Sequence, residues 1–177
     1  MKTTTTSWRV KRLSHLALLT ALALIFSYLE SLVPLPMMLP GFKLGLCNVV
    51  VLFCAYRLSL WDAAILSLVR VLVTALLFGN VTGFLFSLFG AFFAFLAIVF
   101  AKTLLLKQLS FVGVSVLSAA AFNFGQILAA SLLYASVSVF AYLPLLLVAS
   151  AIFGGAVGLL LNLIFDRLGK GVKEGAV

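Results

Sequence analysis

The sequence predicts an all-α integral membrane protein, built as one domain of residues 1–177 that forms a bundle of six transmembrane helices. Composition is the first observation, because 65% of the residues are hydrophobic and only 9% are charged. A soluble domain covers its core with charged side chains, and 12 basic and 4 acidic residues are too few to do so. The second observation is a series of apolar runs, and the third is the position of the basic residues between them.

Six apolar runs account for most of the chain, and a bilayer-spanning helix needs about 20 such residues. The first run continues to Val33 after a basic segment, residues 1–12, that we expect to be flexible. It lacks a convincing cleavage site, so it predicts a retained helix rather than a secretory signal. The second run is short, and the fifth is long enough to tilt or to break at Gly125. The runs span residues 14–33, 42–56, 60–79, 82–103, 111–136 and 141–165.

The basic residues set the expected orientation of the bundle. With the N-terminus in the cytoplasm, ten of the 12 basic residues fall on the cytoplasmic side. The outer connections, residues 34–41, 79–82 and 137–140, contain none. The positive-inside rule therefore predicts that both termini are cytoplasmic. The net charge of +8 does not indicate nucleic-acid binding, because the basic residues are not gathered on one face.

Motifs for catalysis or for metal binding are missing from the sequence. It has no phosphate-binding loop, so we expect any ATP hydrolysis to belong to other subunits. Cys47 and Cys54 lack nearby histidines or paired carboxylates, which favours packing over a metal site. The "SLWD" segment matches a capping box, which gives Asp62 a structural role at the start of the third helix. The sequence thus predicts neither an enzyme nor a cofactor or metal site.

The informative residues are polar and lie far from the ends of the apolar runs. Arg70 is about ten residues into the third helix, or roughly 15 Å deep, where a charge costs roughly 2.5 to 3.5 kcal/mol. Ser67 and Thr74 share its helix face. Asn123 and Gln126 share a face of the fifth helix at a similar depth. Three further polar residues fall in the outer half of the membrane: Glu30, Lys43 and Asn48.

Two interpretations of these residues stay open at this point. In the first, Arg70 pairs with Glu30 or with helix-end carbonyl groups, and the amides join neighbouring helices. In the second, a cavity open to the outside binds a small polar or anionic molecule, and Arg70 and Lys43 supply the positive field. The second interpretation is favoured because an ionisable group inside a membrane is costly, and such groups are usually retained for function.

Four segments of the sequence are distinctive when they are taken together: "GFKLGLCNVVVLF" at 41–53, "SLVRVLVTALLFG" at 67–79, "FLFSLFGA" at 84–91 and "AFNFGQILAA" at 121–130. In this order they resemble the bacterial family called Gx transporters, also labelled heptaprenyl diphosphate synthase component I-like. The resemblance covers residues 15–165. Such proteins are similar to the membrane-embedded substrate-binding (S) components of energy-coupling factor importers, which are six-helix bundles.

The resemblance implies partners and roles. The partners are a transmembrane coupling protein, which Ala17 and Ala21 of the first helix would face, and two cytoplasmic ATPases. The loop 34–40 would cover the substrate. Cys47 departs from the small residue expected at its position, with little expected effect. The residues implied to bind substrate are Lys43, Asn48, Arg70, Asn123 and Gln126, to which Glu30 is added from its position alone.

Two other functions remain open from the sequence. The chain could be an accessory membrane subunit for isoprenoid diphosphate synthesis, since four scattered acidic residues cannot hold Mg²⁺ on a diphosphate. It could also be a structural membrane subunit without a ligand. Gly154 and Gly158 on the sixth helix predict close helix packing inside the bundle in every case.

Overall fold

The computed structural model describes residues 3–32, 43, 45–78, 81–104 and 109–167, and all side chains among them except those of 3–9 and Phe78. This part of the chain contains helices and no strand, which confirms the all-α, six-helix prediction. A 3₁₀ helix, Val137–Tyr142, precedes the last helix. The helices are α1 (Thr3–Leu32), α2 (Asn48–Arg57), α3 (Leu60–Phe78), α4 (Val81–Leu104), α5 (Phe111–Tyr134) and α6 (Leu143–Arg167).

Five helical segments are long and apolar enough to cross a membrane, which makes the chain a multi-pass membrane protein. The exception is α2, whose 10 residues reach only about 15 Å at 1.5 Å per residue. The segments that can span are Val10–Leu32, Leu60–Leu77, Val81–Leu104, Phe111–Tyr134 and Val137–Arg167.

The second helix begins later than the sequence predicted. We expected a helix from residue 42, but α2 begins at Asn48. Gly45 has a φ of +81°, a backbone conformation that cannot continue a right-handed helix and that favours glycine. A turn follows, in which the Asn48 N–H donates to the Gly45 carbonyl at 2.9 Å. The apolar run before Asn48 is therefore not helical where the structure describes it, at residues 43 and 45–47.

Two further expectations differ from the structure in detail. The first helix begins at Thr3 instead of residue 14, so the described part of the basic segment is helical, and its flexibility stays a prediction. The fifth helix runs unbroken through Gly125. The structure requires glycine there for another reason, since a Cβ at this position would lie 2.5 Å from the Phe89 carbonyl oxygen of α4. Glycine at this position allows the backbones of α4 and α5 to approach closely.

The helix ends with basic residues lie together, and we call this side of the bundle the basic end. Arg12 of α1 pairs there with Asp62 of α3 at 2.6 Å, and Lys102 of α4 donates to the Ala55 carbonyl of α2 at 2.6 Å. The Asp62 backbone N–H donates to Ser59 Oγ at 3.1 Å, which is one of the two hydrogen bonds of the capping box predicted from the sequence, and the Asp62 carboxylate accepts from the Ser59 hydroxyl at 2.9 Å. The basic end is defined by Arg12, Arg57, Asp62, Lys102 and Arg167.

The short α2 lies in the middle of the bundle near this end. Seven of its residues are buried, and all of them except Asn48 form one hydrophobic cluster with Leu66 of α3, Ile98 of α4 and Leu161 of α6. Full enclosure explains why α2 is apolar on nearly every face. Because α2 ends at Arg57 in the basic end and is only about 15 Å long, its start lies at about half the depth of a hydrocarbon core about 30 Å thick.

Glycines set the distance between α5 and α6. A Cβ on Gly154 would lie 2.9 Å from Val116 Cα, and one on Gly158 would meet Val112 Cα even closer. Both contacts are to backbone atoms, which cannot move aside as a flexible side chain can. The prediction of close packing at these two positions is therefore confirmed.

We expect Gly158→Ala to destabilise the protein by about 1 to 3 kcal/mol, because α5 and α6 must separate to admit the methyl group. Gly155→Ala is the matched control, since a Cβ at Gly155 meets nothing within 4 Å. Thermal unfolding in detergent measures the difference, at about 2 to 4 °C per kcal/mol for a chain of this size. Equal melting temperatures for the two variants would contradict the packing described here.

Candidate functional site

Arg70 is enclosed at the centre of the bundle, with 1% of its surface exposed. It lies about ten residues into α3, as the sequence predicted. Its Nη1 donates to Ser27 Oγ of α1 at 3.3 Å and contacts the Cys47 sulfur at the start of α2. Its Nε and Nη2 have no hydrogen-bond partner among the described residues. Arg70 thus joins three helices but leaves most of its hydrogen-bonding capacity unused.

The two unused nitrogens lie on the same edge of the guanidinium group. That edge offers two parallel N–H donors, the geometry that binds both oxygens of a carboxylate or phosphate. Buried charged donors without partners are costly, and a bound ligand is one explanation for them in a folded protein. This edge of Arg70 therefore has the geometry that would suit an anion, and its role in binding stays a prediction.

Glu30 of α1 lies close to the same place and is 5% exposed. Its Oε1 accepts a hydrogen bond from the Leu46 N–H, and its Oε2 has no partner among the described residues. The carboxyl is within electrostatic range of Arg70 and Lys43, yet the described residues contain no direct ion pair between Glu30 and Arg70. Arg70 is held by a hydroxyl and a sulfur instead, so the proposed pairing with Glu30 or helix-end carbonyls is not found here.

The turn at the start of α2 connects these groups. Asn48 is 5% exposed and its Nδ2 has no partner in the described part of the chain. A Cβ on Gly45 would lie 3.0 Å from that nitrogen and 3.3 Å from the Phe122 ring, so glycine leaves the space that the amide occupies. The N-terminus of α2 carries a partial positive charge from its backbone dipoles. Its position at half depth adds to the positive field around Arg70.

Gln126 of α5 holds the backbone that leads into this turn. Its side-chain amide donates to the Lys43 carbonyl at 3.2 Å and accepts from the Lys43 N–H at 3.1 Å when its oxygen and nitrogen are oriented to satisfy both bonds. Non-helical backbone inside a membrane protein needs such partners, because no water is present to replace them. The structure therefore places Gln126 beside the site as a support for residue 43.

Asn123 connects two helices through its Nδ2, its Oδ1 has no partner among the described residues, and its predicted role in binding substrate stays a prediction. Its Nδ2 donates to the Leu146 carbonyl at 3.2 Å and to Ser150 Oγ at 2.7 Å, so the amide joins α5 to α6. This arrangement matches the interpretation in which the amides connect helices. Of the six predicted residues, the structure brings five to the turn at residues 45–47, namely Glu30, Lys43, Asn48, Arg70 and Gln126.

Two residues at the site were not predicted as functional. Ser27 is fully buried one turn before Glu30, and this three-residue spacing on one helix face is a signal that the sequence contained. Cys47 was interpreted as simple packing with little effect, but it contacts Arg70 directly. The thiol is therefore part of the surroundings that fix the guanidinium.

Two clefts lined by described residues lie away from Arg70. One, of about 160 Å³, lies between α3 and α4 and includes Ser67 and Phe92. The other, of about 430 Å³, lies at the basic end and includes Arg57 and Asp62. Neither is the cavity reaching Arg70 that we expected from the sequence. The predicted cover, the loop 34–40, lies outside the described residues.

The predicted partner interface on α1 is exposed in the isolated chain. Ala17 and Ala21 are both exposed, and so are Leu18 at 63% and Ile25 at 55%. Only 17% of the spanning part of α1 is buried by the rest of the chain. This face is thus free to contact lipid or another protein, and its role as an interface stays a prediction.

Comparison with known proteins adds one finding. The chain matches the family described as heptaprenyl diphosphate synthase component I over residues 19–164. No curated protein and no solved structure matches it. The matched residues run from α1 into α6 and contain the whole site around Arg70. The chain therefore belongs to the heptaprenyl diphosphate synthase component I family.

Proposed function

We propose that this chain is the membrane-embedded substrate-binding component of an energy-coupling factor type importer. It captures a small polar or anionic molecule from outside a bacterial cytoplasmic membrane. It carries out no reaction itself, and both of its termini face the cytoplasm. A transmembrane coupling protein and two cytoplasmic ATPases supply the energy.

The observation that carries this proposal is the free Nε and Nη2 edge of Arg70. A guanidinium group that served only to join helices would have its donors occupied by protein acceptors. A carboxylate or phosphate on the ligand completes the two missing hydrogen bonds. The nearby carboxyl of Glu30, also with one free oxygen, suits a donor group on the same molecule.

The half-length α2 supports the same proposal. Many membrane transporters bind substrate where a helix is interrupted near the bilayer centre, with the N-terminus of a half-helix near the substrate's negative group. Here the first residue of α2 is Asn48, whose side-chain Nδ2 has no partner among the described residues. The residue before it, Cys47, contacts Arg70. Irregular backbone at this depth is tolerated where protein or a cavity surrounds it.

The exposed face of α1 supports a partner. A helix that exposes Ala17 and Ala21 allows another helix to approach its backbone closely. In the importers that this chain resembles, that face contacts the coupling protein. We assign it the same role here.

A retained ligand provides the direct test of the proposal. The full chain, purified gently from its own membrane, is denatured, and the small molecules released are identified by mass spectrometry. We expect one non-lipid molecule with a carboxylate or phosphate, at close to one per chain. If the purified chain shows a cooperative thermal unfolding transition, and is therefore folded, but releases only lipid, the substrate-binding role is contradicted.

The family description favours a second candidate function, an accessory membrane subunit of a polyprenyl diphosphate synthase. The four acidic residues of this chain are too few and too scattered to hold Mg²⁺ on a diphosphate, as a catalytic subunit must. In this second function the chain would therefore bind or position a catalytic partner. Affinity purification from the native membrane separates the two candidates. An ATPase-containing complex supports import, whereas a soluble prenyl synthase as the main partner supports the second function.

A further inference from the structure

The cleft at the basic end has a lining unlike that of the Arg70 site. Its volume of about 430 Å³ is within the range of small-molecule sites. It lies between residues 11–15 of α1 and the connection from α2 to α3. Its lining residues are Lys11, Arg12, His15, Arg57, Leu58, Ser59 and Asp62.

The cleft carries an excess of positive charge. Asp62, its one carboxylate, is occupied: Arg12 binds it through Nη2 at 2.6 and 2.7 Å and through Nε at 3.0 Å. Ser59 Oγ donates to the same carboxylate at 2.9 Å. Lys11 and Arg57 form no ion pair with any carboxylate of the described residues. Two cationic groups are therefore available to an anion in this cleft.

The Arg12 and Asp62 pair also fixes the walls of the cleft. It connects α1 to the first turn of α3, and Asp62 is only 3% exposed, so the contact is enclosed on one side. Arg12 extends further to Ser59 Oγ at 3.5 Å. The cleft thus exists before any ligand binds, which reduces the cost of ordering the site.

Apolar side chains are exposed at the same level of the bundle. Because Arg12 pairs with Asp62, residues near 12 on α1 and near 62 on α3 lie at similar depth. Leu13 is 68% exposed and Val10 57% on α1, while Trp61 is 79% exposed on α3. An exposed tryptophan next to basic residues is typical of the membrane–water interface. A ligand here would meet cations and apolar surface together.

We propose that this cleft binds the phosphate headgroup of an anionic lipid, with its acyl or prenyl tail along the apolar faces of α1 and α3. Lys11 and Arg57 neutralise the phosphate, and the Arg12–Asp62 pair shapes the pocket. Basic pockets of this kind between transmembrane helices bind lipid headgroups in other proteins. The proposal is independent of the Arg70 site, which lies near the centre of the bundle.

Native mass spectrometry of the purified full chain tests the proposal, with phosphatidylglycerol as the anionic probe and phosphatidylcholine as the neutral one. We expect preferential retention of phosphatidylglycerol. Arg57→Ala and Lys11→Ala should each weaken it about fivefold, and the double variant about twenty-fivefold, at about 1 kcal/mol per cation. Arg167→Ala is the matched control, because it removes an exposed cation from the basic end outside the cleft.

Competition distinguishes the source of the lipid. If farnesyl diphosphate displaces phosphatidylglycerol more strongly than inorganic diphosphate does, the site accepts a prenyl diphosphate and uses its tail. If neither displaces it, the site is one for bilayer phospholipid, and the proposal also stands. It is overturned if the folded double variant retains phosphatidylglycerol like the original chain, or if Arg167→Ala weakens retention equally.

Discussion

Arg70→Ala is expected to abolish retention of the anionic small molecule, with a loss of affinity of at least about thirtyfold. The estimate follows from the 2 kcal/mol or more lost when one partner of a buried, charged hydrogen-bonded pair is removed. The alanine variant should still fold, because removing a buried guanidinium with two unpartnered nitrogens also removes an unfavourable burial. Mass spectrometry of released ligand, with thermal unfolding of the same sample, measures both quantities.

Two more substitutions at Arg70 show whether ligand binding depends on the positive charge or on the paired N–H donors. Arg70→Met keeps the apolar volume and should lose the ligand as alanine does. Arg70→Lys keeps the charge but not the paired donors, so it should bind far more weakly than arginine. An unchanged ligand content in the alanine variant would remove Arg70 from the site, and full binding by lysine would show that charge alone is sufficient.

Gly45→Val is expected to destabilise the protein by about 2 to 5 kcal/mol and to remove ligand binding. A β-branched residue is strongly disfavoured at the φ of +81° that Gly45 adopts. The added atoms would also press on Asn48 Nδ2, 3.0 Å from the Cβ position, and on the Phe122 ring at 3.3 Å. Thermal unfolding in detergent and the ligand content of the purified chain measure the two effects.

Gly155→Val provides the matched control, because residue 155 is helical and a Cβ there meets nothing within 4 Å. It should change the melting temperature only slightly. Gly45→Asn should fall between the two, since asparagine tolerates positive φ but still carries a Cβ. If Gly45→Val melts like the control, the turn before α2 does not have the conformation described here.

Most of the helices could be predicted from the sequence because length and apolarity decide them. The run at 60–79 begins where α3 begins and ends one residue later, and the run at 82–103 differs from α4 by one residue at each end. The start of α2 could not be predicted in the same way, because residues 42–47 are apolar enough to continue a helix. The positive φ of Gly45 prevents the helix from extending back to residue 42. Glycine is also common within membrane helices, so its presence in the sequence does not predict this conformation.

The site was partly predictable, for a physical reason. Burial of Arg70 follows from the cost of a charge in hydrocarbon, and its face of α3 follows from helical periodicity. The partners of Asn123 and Gln126 do not follow, because periodicity gives the direction of a side chain on its own helix and not the neighbour opposite. Asn123 therefore joined the predicted site although it bonds α6, and Cys47 was omitted although it contacts Arg70.

The first helix is attached to the bundle by polar contacts at two separate heights. Near one end Arg12 binds Asp62, and near the other Ser27 and Glu30 contact Arg70 and Leu46. The outward side of the same helix is exposed among the described residues, for example at Leu18 and Ile25, so the helix is available to a neighbouring protein there. An anion on the free Nε and Nη2 edge would leave the Nη1 contact with Ser27 in place, so we expect it to hold Arg70, and with it this attachment of α1, more firmly. Occupancy of the interior would then stabilise the surface offered to a neighbour.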